Sequence, residues 1–166
     1  MDETEKYIEH LLDKYGNSVL RVAYTYLKNR ADAEDVVQDV FLAVIEKRPI
    51  FKDETHEKAW LIRSAINLCK DRLKLYWNRN KCPIDEAGEI PCTDSYNTDS
   101  TVLDAVMGLP EKYRIAVYMY YYEEYTTPEI ARMLGKSEVS VRSILHRARK
   151  RLKTVLKEEY DFEREV

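Results

Sequence analysis

The sequence predicts an all-α protein built as two small helical domains joined by a flexible acidic linker. Three observations predict it. Gly and Pro number only 4 and 5, too few for the many turns of an all-β chain. Apolar residues recur at i, i+3, i+4 and i+7 through most of the chain, the period of helices with one buried face. Residues 81–100 break that pattern with two prolines, small polar residues and several acids, as a linker does. The domains are accordingly 5–80 and 101–157, each about sixty to eighty residues and each with a small core.

The first domain opens with two helical patterns, Glu5 to Tyr15 and Ser18 to Leu27, read as an antiparallel pair around Gly16-Asn17. Asp32 is the expected cap of the next helix, in which Ala33, Val36, Val37, Val40, Phe41, Val44 and Ile45 form the apolar stripe. Pro49 stops it. A polar loop, IFKDETHEK from Ile50, leads to a helix from about Lys58 to Trp77, with Trp60, Leu61, Ala65, Leu68 and Leu75 at apolar positions.

The second domain begins with a short helix, TVLDAVMGL, that ends at Pro110, followed by EKYRIAVYMYYYEEY. Helical spacing turns Ile115, Met119 and Tyr122 toward the core and leaves Tyr118, Tyr120, Tyr121 and Tyr125 as an amphipathic outer surface. Thr127 with Pro128 behind it starts another helix, because Pro at the first helical position forfeits only an amide that would be unpaired anyway. Ile130, Ala131 and Leu134 are its apolar residues, with Ala131 small where two helices cross. Gly135 takes the left-handed conformation that closes it, and Ser137 caps the last helix. There Val141, Ile144, Leu145, Ala148, Leu152 and Val155 form one stripe. Helix, tight turn and second helix together make a helix-turn-helix, whose second helix enters the DNA major groove.

Charge supports nucleic acid as the ligand. The chain carries a formal charge of −3, yet from Lys136 to Lys157 the basic residues are Lys136, Arg142, Arg147, Arg149, Lys150, Arg151, Lys153 and Lys157 against the single acid Glu138. Cations concentrated on one helix of an acidic protein are a footprint for phosphate. A second basic helix lies in the first domain, where Arg63, Lys70, Arg72, Lys74, Arg79 and Lys81 face only Asp71. Two such helices suit a protein that holds DNA at two separated places. Asp35, Gln38, Asp39, Leu42 and Glu46 form a further helical stripe, which reads either as a solvated face or as a docking surface for a basic partner helix.

Other chemistry finds no support. Cys69, Cys82 and Cys92 lie too far apart for a CxxC pair, and His10, His56 and His146 add no ligand spacing, so reduced thiols and no metal or cofactor are expected. There is no nucleophile-base constellation or phosphate loop, so no enzyme and no small-molecule substrate. No apolar run spans a bilayer, and MDETEKYIEHLL lacks the basic flank and apolar stretch of a signal peptide, which places the chain in the cytoplasm. The chain ends about ten residues past the last basic helix, and no C-terminal sensory extension is expected.

AEDVVQDVFLAVIEK (Ala33 to Lys47), AWLIRSAINLCKD (Ala59 to Asp71), LPEKYR (Leu109 to Arg114) and LHRARKRL (Leu145 to Leu152), in that order, resemble the extracytoplasmic-function sigma factors. These are small bacterial initiation subunits of RNA polymerase, and the resemblance spans both domains. It implies that residues 5–80 are sigma domain 2 and 101–157 sigma domain 4. Asp35, Gln38, Asp39, Leu42 and Glu46 would dock on the clamp helices of the polymerase β′ subunit, and the first helices of domain 4 would grip the β flap. The −10 promoter element would be engaged and opened by Phe51, Lys52, His56, Arg63, Asn67, Lys70 and Lys74, with Phe51 open between a base contact and a core plug. Pockets for flipped bases and cations for phosphates are what an opened strand needs. On the recognition helix Glu138, Ser140, Arg142, Ser143 and His146 would reach base edges of the −35 element, and Arg147, Arg149 and Lys150 would contact phosphate. An anti-sigma protein is implied as a further partner. The chain departs from the family pattern at Val139-Ser140, where Gly-Thr is frequent, and at Ile66 and Ile144, where Arg is frequent.

The linker allows an arithmetic check. About twenty flexible residues reach near 25 Å on average and at most ~70 Å extended. A promoter spacer of roughly sixteen base pairs is ~55 Å long. The tether spans it only when stretched, so polymerase is expected to fix the separation of the domains. The competing reading is a free-standing helix-turn-helix regulator, which needs only one basic helix.

Overall fold

The apolar residues Leu11, Tyr15, Val19 and Val22 continue one stripe straight past Gly16, and the chain from Glu3 to Leu27 is a single 25-residue helix, α1. The expected turn at Gly16-Asn17 does not form. A mid-helix Gly costs about 1 kcal/mol relative to Ala, and the buried side chains on both sides of it outweigh that. Asp2 starts α1 with a capping box to Glu5. The computed structural model describes residues 2–80 and 101–159, so the linker read at 81–100, with Cys82 and Cys92, lies outside the described residues. The chain divides into two units, Met1–Asp94 and Ser95–Val166.

In the first unit α1 ends at Lys28 in the left-handed conformation, and helix α2, Arg30–Lys47, follows at once. Its cap is Asn29 and not Asp32. The Asn29 side chain accepts a hydrogen bond from the Asp32 amide, and Asp32 instead places its charge in the first turn, where the helix dipole favours it. Ala33, Val36, Val40, Phe41 and Val44 are buried as expected, while Val37 is half-buried and Ile45 exposed. Arg48 closes the helix in the left-handed region, ahead of Pro49.

Helix α3, Glu54–Asn80, begins four residues before the sequence pattern suggested. Asp53, within the presumed loop, caps it by accepting from the His56 amide at 2.8 Å. Lys14 reaches across from α1 to Glu54 at 2.6 Å and pins this start in place. Leu61, Ile62, Ala65, Ile66, Cys69, Leu73 and Trp77 are the buried residues of α3. Trp60 and Leu68 are only half-buried, and Leu75, expected in the stripe, is 62% exposed. The three helices pack pairwise around one core.

The second unit starts with α4, Thr101–Met107, and α5, Glu111–Val117, which pack on the long last helix. Between α4 and α5 the Arg114 guanidinium is fully buried and donates to the Leu109 carbonyl at 3.0 Å, so the charge tightens the LPEKYR turn from inside. From Tyr118 to Tyr122 the chain widens into a π-helical turn, π1. Glu123 N–H donates five residues back to the Tyr118 carbonyl, and Glu124 then turns through φ 59°.

That turn overturns the expected faces of the tyrosines. A π turn holds an extra residue, so every side chain after it is out of phase with a 3.6-residue wheel. Beyond the turn Tyr125 is buried, whereas Tyr122, expected in the core, is 43% exposed and stacks on Tyr118, which opens the turn and is buried like Tyr113 to Val117 before it. Ile115 and Met119 are core as expected.

Helix α6, Thr127–Leu134, is capped by Thr126 in a capping box with Glu129, which moves Pro128 to the second helical position. Gly135 at φ 67° closes it, donating to Ala131, and the Ser137 hydroxyl accepts from Ser140 to cap helix α7, Glu138–Glu159. Both features were legible in the sequence. Val141, Ile144, Leu145 and Ala148 are buried, and Leu152 is half-buried. At the far end Leu156 is buried and Val155 is exposed, the reverse of the expected stripe. Among the described residues there is no strand.

Candidate nucleic-acid interface

The side of α7 turned away from its buried stripe is the basic one. Arg142, Ser143, His146, Arg147 and Lys150 recur at three- and four-residue steps, and all are exposed. This is the arrangement expected of a helix that presents polar and cationic groups to the major groove. Ser140 and Glu138 are half-buried at the edge of that face. Glu138 accepts from the Thr127 hydroxyl at 3.4 Å and pairs with Arg142 at 3.5 Å, so the acid ties α7 to α6 and steadies the arginine.

Arg149, expected to hold phosphate with Lys150, is exposed and also has aromatic neighbours. Its Nε donates to the Tyr121 hydroxyl at 2.7 Å, and its guanidinium sits 5.7 Å from the ring centres of both Tyr120 and Tyr121. Arg151 lies likewise over Tyr113 at 4.7 Å. These two cations flank the buried stripe and serve packing through cation–π contact. Sequence gave no warning, because a run of basic residues does not reveal which members meet rings from another helix.

In the first unit, His56, Arg63, Asn67, Lys70 and Lys74 fall on one line along α3, all exposed and opposite the buried residues. Lys52 lies in the loop before the helix and is exposed as well. Phe51 is half-buried, with its ring 5.5 Å from His56 and 5.9 Å from Trp60 in edge-to-face contact. It is therefore neither a sealed core plug nor a free ring. His56 Nδ1 accepts from the Lys52 amide at 3.1 Å, so the loop folds back on the helix start.

Asp35, Gln38, Leu42 and Glu46 are exposed along α2, and Asp39 is half-buried. Leu42 is 52% exposed, an apolar centre in a ring of polar groups. Arg72, which the sequence placed with the basic residues of α3, turns to α2 and pairs with Asp39 at 3.3 Å and Asp35 at 4.0 Å. It belongs to the acidic face.

A groove of about 400 Å³ runs along the second unit, lined by Val102, Val106, Tyr121, Tyr122, Leu152 and Leu156 among others. Val102, Tyr121 and Tyr122 are each 43% exposed or more. Sequence periodicity missed it, because the π turn supplies its tyrosine wall.

The chain matches the family model Sigma-70 region 2 over residues 11–79 and Sigma-70, region 4 over residues 100–152. It is 30% identical over 149 residues to the ECF RNA polymerase sigma factor SigM of Mycobacterium tuberculosis, covering 89% of this chain and 76% of that one. The chain belongs to the ECF RNA polymerase sigma factors. A second relative, the ECF sigma factor SigW of Bacillus subtilis, is 25% identical, covering 89% of this chain and 88% of its own length. The fold is that of the sigma factor RpoE of Bartonella quintana, solved in complex with the anti-sigma factor NepR. The TM-score is 0.72 at 22% identity, over 92% of this chain and 98% of that one. This sigma factor thus directs promoter-specific transcription by RNA polymerase, and the regulator reading is not favoured. No helix among the described residues is long and apolar enough to cross a membrane.

Proposed function

We propose that the sigma factor divides promoter recognition between its units, with residues 101–157 reading the −35 element and residues 5–80 engaging the −10 element. The observation that carries this is the exposed face of α7. Arg142, Ser143 and His146 stand near its start, where base edges come within reach, and Arg147 and Lys150 stand further along, where phosphates do. Glu138 and Ser140 complete the base-proximal edge. Arg149, engaged by Tyr121, plays the smaller part in DNA contact.

On α3 the line of His56, Arg63, Asn67, Lys70 and Lys74 provides amide and cationic groups along a single strand, and Phe51 and Lys52 border it. The face of Asp35, Gln38, Asp39, Leu42 and Glu46 docks on the β′ clamp helices, and the apolar groove of the second unit receives the β flap. An anti-sigma protein is the further partner, as one is for the similar Bartonella chain. The sigma factor works in the cytoplasm and performs no chemistry itself. Purified protein added to bacterial core polymerase should direct initiation from a defined start site. Tight unaided binding to duplex DNA, with core polymerase left inactive, would overturn the reading.

A further inference from the structure

We propose that Val139 is a specificity-determining residue, whose side chain reads the 5-methyl group of a thymine in the upstream promoter element. Val139 is the second residue of α7 and is 68% exposed. It stands three, four and seven residues before Arg142, Ser143 and His146, on the same face and opposite the buried Val141, Ile144, Leu145 and Ala148. Every one of those neighbours on the exposed face can donate a hydrogen bond. Val139 cannot. Its two methyl groups offer nothing to a phosphate or to the polar edge of a base.

The major groove contains one apolar group, the thymine methyl, and apolar side chains at this depth meet it. Valine is also stiff, with one dominant χ1 rotamer in a helix, so its methyls are held in place at little cost in ordering. Scattered exposed valines are ordinary on protein surfaces. This one occupies the first turn of the helix assigned to the groove, on the same face as Arg142, Ser143 and His146. The inference rests on the reading that α7 lies in the major groove of the −35 element.

The test uses the full chain with core polymerase on a promoter whose start has been mapped. Each thymine of the upstream element is replaced in turn by deoxyuridine, which removes only the methyl group. At one position the replacement should lower initiation by about fourfold, the worth of burying one methyl-sized group. Val139→Ala should lower initiation similarly on the thymine template and no longer distinguish the two bases there, while Arg142→Ala weakens binding on both. If Val139→Ala keeps the full discrimination, or if no thymine of the element responds, the proposal fails. Should Arg142→Ala also initiate like the wild type, it is the placement of α7 that has failed. Val139 is 68% exposed, and equal melting temperatures of the two variants and the wild type would show that folding is not the cause.

Discussion

Arg72 Nη2 lies 3.3 Å from Asp39 Oδ2 and ties α3 to the acidic face of α2. The guanidinium also approaches Asp35, so one cation spaces two carboxylates of the surface assigned to polymerase. Both partners are more than a third exposed, and the pair contributes under about 1 kcal/mol to folding. Asp39→Ala should therefore leave the denaturation midpoint nearly unchanged while lowering affinity for core polymerase on the order of tenfold. Upstream DNA contacts, proposed for the other unit, should be spared. A titration of core polymerase beside a urea melt separates the two effects. A large fall in stability with polymerase binding intact would reverse the assignment.

Arg142 and Arg149 should differ although both are exposed cations on one helix. Arg142→Ala should cost about 1–3 kcal/mol of binding to the upstream element and relax base preference there. Lys150→Ala should reduce the salt slope of binding by about one counterion. Arg149→Ala should change that slope less than Lys150→Ala does, because its guanidinium is held toward Tyr120 and Tyr121. Affinities measured across a range of salt concentrations decide it.

The helix-turn-helix depends on its punctuation. Thr126→Ala removes the capping box with Glu129 and should cost about 1 kcal/mol. At Gly135 an added Cβ meets nothing within 4 Å, so Gly135→Ala is opposed only by the left-handed φ of 67°, at roughly 1–2 kcal/mol. Thermal melts of the full chain should rank both below the wild type, with Ser143→Ala, on the exposed face, at the wild-type value.

Lys14 and Glu54 give the first unit a pH signature. The hydrogen bond from Lys14 holds the Glu54 carboxyl below its ordinary 4.5, and the same bond raises Lys14 above its ordinary 10.5. A depressed carboxyl stabilises the fold above its unfolded pKa, and that contribution fades as pH falls through the folded value. A raised amine stabilises below its unfolded pKa, and its contribution fades as pH climbs through the folded value. The difference in stability between wild type and Glu54→Gln should thus be constant at neutral pH and shrink in acid. Denaturation midpoints at neutral pH and in acid measure it, and a difference that grows in acid would contradict the pairing.

Periodicity revealed the helices because each buries one face, and it revealed the exposed faces of α2, α3 and α7 for the same reason. It failed where a local signal competed with a tertiary one. Gly16-Asn17 has the composition of a turn, yet Leu11, Tyr15, Val19 and Val22 bury a single continuous stripe. Asn29 outranked Asp32 as a cap, and Asp53 turned presumed loop into the first turn of α3. For the candidate site, exposure followed from the stripes alone. The allegiance of Arg72 and Arg149 did not, since an ion pair with α2 and a bond to a tyrosine on π1 are set by packing between helices.

The widened turn at Tyr118–Tyr122 links two surfaces that would otherwise vary separately. Excising one tyrosine would restore ordinary winding, rotate the rings of Tyr121 and Tyr122 by about a quarter turn and deprive both the cleft and Arg149 of their aromatic wall. The helix presented to DNA would keep its caps and its buried stripe. Natural variation by a single codon at this spot would therefore reshape the cleft of the second unit while the exposed face of the last helix stays as it is.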